Sequence, residues 1–313
     1  MKFAMKTSTT GLATALALSG ALLAGAADAA LVNNSNGTVS DTSTGLMWAE
    51  DANAFATIYN GTAAGPARQA LMNTIIAFQP TGVDPMWGAY NLTAGDWDLG
   101  VNPYTDIADG HMTYFAANAF VKYANSINYK GYNDWRLPTK TPLVGTVFNY
   151  IDTNDFTGIS DAGYNFTNTA GGRNPANDEL SNLYYNSMML LGLLDYTGTS
   201  RPGGTFSLDT AGAINPFLNV ERAGYHTATV FNPYGVATDG APPDSLVPAT
   251  WNINFSSGYA GSKDRVPAEF GGFTEGVTWL VRDATVVPVP GAVWLFGSAL
   301  VGLIGRGRKK VVA

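Results

Sequence analysis

The chain has no cysteine. An exported protein of this composition has no disulfide framework and must stand on its core alone. The same absence excludes thiol nucleophiles, thiolate zinc sites and cysteine redox chemistry. Histidine is almost as scarce: His111 and His226 are the only two. A Ser-His-Asp triad would need one of them, yet no serine stands in a Gly-x-Ser-x-Gly turn. Charge is thin, with 13% Asp, Glu, Lys and Arg, and what there is leans acidic, at net −7 over 313 residues. Nucleic-acid binding wants a basic face, so that class is set aside.

Long apolar runs occur only at the two ends, and both ends read as sorting segments. Lys2 and Lys6 precede the apolar stretch Leu12 to Ala24, followed by the small-residue pattern Ala27-Asp28-Ala29. Residues 1–29 are therefore read as a secretory signal peptide. The competing reading, an N-terminal anchor, needs about 20 apolar residues and has fewer. Residues 285–313 combine Pro288-Val289-Pro290-Gly291, an apolar run from Ala292 to Ile304, and a basic end at Arg306, Arg308, Lys309 and Lys310. That order places the tail in the inner membrane, at least transiently, with its basic end cytoplasmic and the body outside. With both ends removed, and Asp28 with them, the net charge of the body falls to about −12.

The tripartite tail resembles the PEP-CTERM sorting signals in their VPxPA-like variant. That resemblance implies processing by an exosortase-type membrane protease in a Gram-negative bacterium that makes exopolysaccharide. Val289 and Gly291 depart from the usual residues, which leaves the enzyme subtype open. A plain C-terminal anchor is the alternative.

In the body, residues 31–284, turn residues punctuate short extended pieces. Asn36-Gly37 turns into Thr38-Val39, and Asp41 to Gly45 turns into the apolar Leu46-Met47-Trp48. Helical spacing predicts a short helix over 67–78 and the best helix of the chain over 112–128, through Phe115, Ala119, Phe120, Tyr123 and Ile127. Further helices are expected over 142–150 and 180–194. Alternation predicts strands over 225–231, 251–255 (with Trp251, Ile253 and Phe255 on one face) and 277–282. Segments 80–110 and 151–178 read as long surface loops.

One stretch organises the rest: Gly131-Tyr132-Asn133-Asp134-Trp135-Arg136-Leu137-Pro138-Thr139. Gly131 and Asn133 favour a turn, and Pro138 holds Leu137 extended. The elbow offers Asp134 and Arg136 at a spacing where the side chains can share a face. They are expected to pair with each other, as buried charges are paired.

Together, Thr44-Gly45-Leu46-Met47-Trp48, the Gly131–Thr139 elbow, the strand Trp251 to Phe255 and the closing Leu280-Val281-Arg282 resemble the DUF1566 family, also called the C-terminal domain of the Legionella collagen-like protein. The resemblance spans about residues 36–284. It implies a single α+β domain similar to the C-type-lectin-like and formylglycine-generating-enzyme-like folds, with long loop insertions. It also implies an exported surface protein, in some members a glycan-binding adhesin. Asp283 stands where many members have cysteine, and 50–110 and 150–222 are insertions, so a family ligand site in those loops does not carry over.

Three sets of residues are candidates for function. Trp87, Tyr90, Trp97 and Tyr104 lie in one Gly/Asp-rich loop. They are either a shelf for sugar rings or the loop's own small core. Asp152, Asn154 and Asp155, with Asp161 nearby, offer hard oxygen ligands for calcium but fail the EF-hand spacing. Asp96 and Asp98 are a second such set; solvated turns are the plainer account of both. Asp134, Trp135, Arg136, Leu137 and Pro138 are read as a structural signature. No catalytic residue and no other cofactor is indicated. The expected function is a non-enzymatic surface or matrix protein binding exopolysaccharide or another glycan. An extracellular glycosidase working through a carboxylate pair is the alternative, and a purely structural matrix role is a third.

Overall fold

The closing strand of the chain belongs to two sheets in turn, and this holds the architecture together. In the computed structural model, which describes residues 31–79, 90–101, 104, 106–146, 148–149, 160–164, 178–195, 198–200, 214–231, 249–264 and 276–284, the first sheet contains β1 (Leu31–Asn33), β2 (Thr38–Asp41), β3 (Leu46–Ala49) and β8 (Val281–Asp283) in that order, all antiparallel. The second runs β6 (Ala260–Asp264), β5 (Ala249–Asn254), β4 (Gly224–Phe231) and β7 (Gly276–Val277), with β7 parallel to β4. Between β7 and β8 the chain leaves one sheet for the other at Thr278, Trp279 and Leu280. The continuous strand expected over 277–282 is thus two short strands.

Trp279 explains the switch. It is fully buried, and its indole N–H donates to the Ala49 carbonyl at 2.9 Å. Its ring meets Trp48, Phe217, Tyr225 and Phe255 with centroids 4.8 to 5.6 Å apart. One aromatic knot therefore fills the space between the sheets.

Three helices form the other layer. α1 (Ala54–Gly61), α2 (Pro66–Ile76) and α3 (Tyr114–Ser126) bury Phe55, Tyr59, Met72, Ile75, Phe115 and Phe120 in one apolar cluster. α2 starts on a proline, whose fixed φ suits the first turn. Thr113 caps α3 by accepting from the Ala116 N–H. Helices and two sheets together make a single α+β domain. Among the described residues no helix is long and apolar enough to cross a membrane.

The helices over 67–78 and 112–128 stand where periodicity puts them. Those over 142–150 and 180–194 do not. Residues 142–146 form bends and turns: the Leu143 N–H and the Asn149 N–H both donate to the buried Asp161 carboxylate, at 2.6 Å each, and this draws the backbone out of helical register. Past Asn182 the helical start α4 (Glu179–Asn182) widens into a π turn, Leu183–Ser187, and then extends. Ser187 donates to the Asp41 carboxylate, and Met189 takes a left-handed φ of 58°. The apolar run 180–194 was long enough for a helix, but buried Asp41 stops it. α1, β1 and β6 have no counterpart among the expected elements. In β5 both faces are buried, because the Thr250 and Asn252 side chains are enclosed as fully as those of Trp251 and Ile253.

Candidate functional site

The elbow meets the edge of the first sheet through a single β-bridge. Arg136 and Val281 exchange both backbone hydrogen bonds, at 2.8 and 3.0 Å, so the elbow lies against β8. Trp135 is buried in the helical cluster, its indole N–H donating to the Tyr129 carbonyl at 2.8 Å. Asn125 of α3 clamps the Trp135 backbone, accepting from its N–H at 2.7 Å and donating to its carbonyl at 2.9 Å. Further on, the Ala228 N–H donates to the Pro138 carbonyl at 2.7 Å, and Thr229 bonds both backbone groups of Lys140. Within a few residues the chain joins α3, the first sheet and the second.

Asp134 and Arg136 do not pair with each other. The extended backbone points them to different partners. Asp134 takes both ends of Arg282, Nε at 2.6 Å and Nη2 at 2.8 Å, while the guanidinium of Arg282 lies 4.1 Å over the Tyr132 ring. Those hydrogen bonds hold the Asp134 carboxyl below the usual carboxylate range. Arg136 makes a two-pronged contact with Glu179, at 2.7 and 2.9 Å, and reaches Asp283 at 2.7 Å. Burial works against the Arg136 charge, but the two carboxylates outweigh it and raise its pKa. Next to them Lys140 meets Asp178 at 2.7 Å with both side chains enclosed. Every charge of the elbow is thus matched across elements, and none is aimed at a cavity. Asp134, Trp135, Arg136, Leu137 and Pro138 hold the layers together.

The candidate aromatic shelf takes a different form. Tyr90 and Trp97 are 7% and 3% exposed and belong to the helical cluster, Tyr90 against Phe115 and Trp97 against Phe55. Tyr104 is half-buried on the same cluster, its backbone N–H donating to the Tyr59 hydroxyl at 2.9 Å. These rings fill the space left by small residues in α3, where Ala116, Ala117 and Ala119 face the core. Trp87 lies outside the described residues, as do Asp152, Asn154, Asp155, the sorting motif Pro288 to Gly291, and the terminal segments 1–29 and 285–313. Asp161 holds backbone N–H groups, as described above. Asp96 accepts from the Thr93 N–H and the Thr113 hydroxyl, and Asp98 from the Gly100 N–H. No group of three acidic or histidine side chains that could hold a metal occurs among the described residues. His226 is buried with Nε2 on the Met112 carbonyl at 2.9 Å, and His111 sits 2.9 Å from Asp109.

An open cleft of about 300 Å³ lies elsewhere, and its polar walls are Asn53, Thr57, Asn60, Asp109, Asn219 and Glu221. Three segments meet there. Asn53, Thr57 and Asn60 stand three and four residues apart, on one face of α1 and its cap. Residues 106–111 pass over them: the Asn60 carboxamide brackets Ala108, donating to its carbonyl and accepting from its N–H at 2.9 Å each. The third segment docks through the Ala52 N–H on the Leu218 carbonyl and the Leu218 N–H on the Glu50 carbonyl. It brings in Asn219, whose left-handed φ of 53° asparagine tolerates well.

The cleft depends on one glycine. Gly110 has a φ of +95°, and a Cβ there would collide with the Asn53 carboxamide. Asn53 is 2% exposed and caps α1, and it donates to the Asp109 carbonyl at 2.7 Å and to Glu221 at 3.3 Å. Ala56 and Ala108 complete the wall with side chains too small to fill it. None of these residues stood out in sequence. The signal was there, as a polar 53-57-60 stripe, but reading it requires knowing that 54–61 is a helix.

Comparison with known proteins gives one match: the family model of the Lcl C-terminal domain fits residues 37–282. No curated protein and no solved structure matches.

Proposed function

The chain belongs to the Lcl C-terminal domain family, and from that membership we propose that it is an exported protein of the cell surface or extracellular matrix that binds a glycan in the Asn53–Glu221 cleft without cleaving it. The observation that carries this reading is the cleft itself. It is open, sized for one or two sugar rings, and walled by carboxamides, a hydroxyl and carboxylates, the groups that hydrogen-bond sugar hydroxyls. The likeness of the family to C-type-lectin-like folds stays part of the proposal. So does sorting of residues 285–313 by an exosortase-type protease, which rests on the order of motif, apolar run and basic end.

One observation favours a second reading. Asp109 and Glu221 share the cleft, and a glycosidase works through two carboxylates. Binding is preferred because the Asp109 side chain is 52% exposed and engaged by His111. The test is a glycan panel scored both for retention and for release of reducing sugar. Retention without release supports the binding reading. Sugar release that disappears in Glu221→Gln establishes the enzyme instead. Intact mass of the mature chain tests the sorting proposal: a product ending near Pro290 is expected, and a full C-terminus through Ala313 contradicts it.

A further inference from the structure

The carboxamide donors of the cleft are engaged within the protein, while its two carboxylates keep lone pairs beyond those that His111 and Asn53 use. Both N–H of the Asn53 carboxamide are taken, by the Asp109 carbonyl and by Glu221. Both of Asn219 are taken as well, by Asp51 and by the Thr57 hydroxyl, each at 3.1 Å. One N–H of Asn60 goes to the Ala108 carbonyl. A carboxamide has only two such hydrogens, so four of the six are directed inward by Asn53 and Asn219 alone. The carboxylates of Asp109 and Glu221 can only accept while ionised. No lysine or arginine is among the residues lining the cleft, and buried Asp51 adds a negative charge behind Asn219. His111 sits on Asp109, Arg222 follows Glu221 in the chain, and the Arg68 guanidinium donates to the Asn60 and Asp106 carbonyls.

A wall with spare carboxylate lone pairs and few spare carboxamide donors selects a ligand that donates, and two carboxylates make a positive donor the best fit. We infer that the cleft recognises an amino sugar with a free, protonated amine, as in a de-N-acetylated polysaccharide, and discriminates against sulfated or uronic-acid glycans. This deepens, and rests on, the reading of the cleft as the glycan site. A sulfate would face Asp109 and Glu221 with few donors to receive it, and like charges across an interface are penalised. N-acetylation removes the charge and adds a carbonyl acceptor where the wall already accepts.

The test is titration of the full-length chain with three probes of equal length: a glucosamine tetrasaccharide with free amines, its N-acetylated counterpart, and a sulfated tetrasaccharide. The free-amine probe is expected to bind at least about tenfold more tightly than the acetylated one, with an affinity that falls as salt rises, and the sulfated probe is expected not to bind. Glu221→Gln and Asp109→Asn, which keep shape and remove charge, should erase most of that preference. Equal or tighter binding of the acetylated or sulfated probe, lost when Thr57→Phe fills the cleft, overturns the amine inference and leaves the glycan site standing. Binding that Thr57→Phe does not affect, or no binding of any probe, overturns the site itself along with the inference.

Discussion

The elbow and the cleft are built from the same kinds of residue, and they differ in where those residues direct their polar groups. At the elbow, Asp134, Arg136, Lys140, Asp178, Glu179 and Arg282 are matched charge to charge across three elements. At the cleft, Asn53, Asn219 and Asn60 are held by neighbouring segments, while Asp109 and Glu221, each bonded once or twice within the protein, line open space with carboxylate lone pairs to spare. Closed polar networks fix a fold, and open ones leave capacity for a ligand. On the proposed function, the chain separates the two tasks. The residues that mark the family hold the layers, and the insertions those layers support form the cleft.

The absence of cysteine sharpens the contrast. Buried carboxylates supply cross-links of a different kind. Asp41 ties β2 to Ser187, Asp96 ties its loop to Thr113, Asp161 ties Leu143 to Asn149, and Asp178 ties α4 to Lys140. Each joins positions at least 12 residues apart, and each is costly to break, because removing one partner leaves the other buried and unmatched.

The comparison can be broken first at the elbow. Trp135→Ala should destabilise the domain by about 3–5 kcal/mol, as for other core aromatics, seen as a lower urea midpoint. A normal melt with lost glycan binding would move the elbow from scaffold to site. Asp178→Ala, which leaves Lys140 enclosed without its carboxylate, should cost about 3–5 kcal/mol in the same assay. Gly110→Ala tests the boundary between the regions. A left-handed φ and a collision with Asn53 should cost about 1–3 kcal/mol and weaken binding as well, since Asn53 shapes the cleft. At the cleft, Glu221→Gln should change stability by no more than about 0.5 kcal/mol.

A further effect is in acid. The folded pKa of Asp134 is depressed by Arg282. Its contribution is therefore present above the ordinary carboxylate pKa of about 4 and is lost as pH falls through the lower folded value. Asp134→Asn should flatten the acid limb of the melting curve slightly, within the roughly 1 kcal/mol range of exposed pairs.

The helix over 112–128, the strands around Leu46 to Trp48 and Gly224 to Phe231, and the non-helical course of the elbow were legible from periodicity and turn chemistry. They are local, or anchored by a large aromatic whose burial is readily inferred. The partners of Asp134 and Arg136 were not legible, because Arg282 is 148 residues away from Asp134 and only the sheet register brings them together. The 180–194 run misled for a related reason, since its apolar spacing carries no trace of the distant Asp41. The cleft was least legible. Its walls come from segments up to 168 residues apart, and its distinguishing property, two carboxylates set among carboxamides whose donors are already used, exists only after folding.

The central claim is that scaffold and binding site are separate. Thr57→Phe tests it most directly, because Thr57 is exposed on α1 and a phenyl ring there fills the cleft without entering the core. Binding to the oligosaccharide panel should fall at least about tenfold while the melting temperature stays within about 2–4 °C of the parent, the shift of about 1 kcal/mol in a domain of this size. Undiminished binding by a Thr57→Phe chain with that same melt would contradict the account.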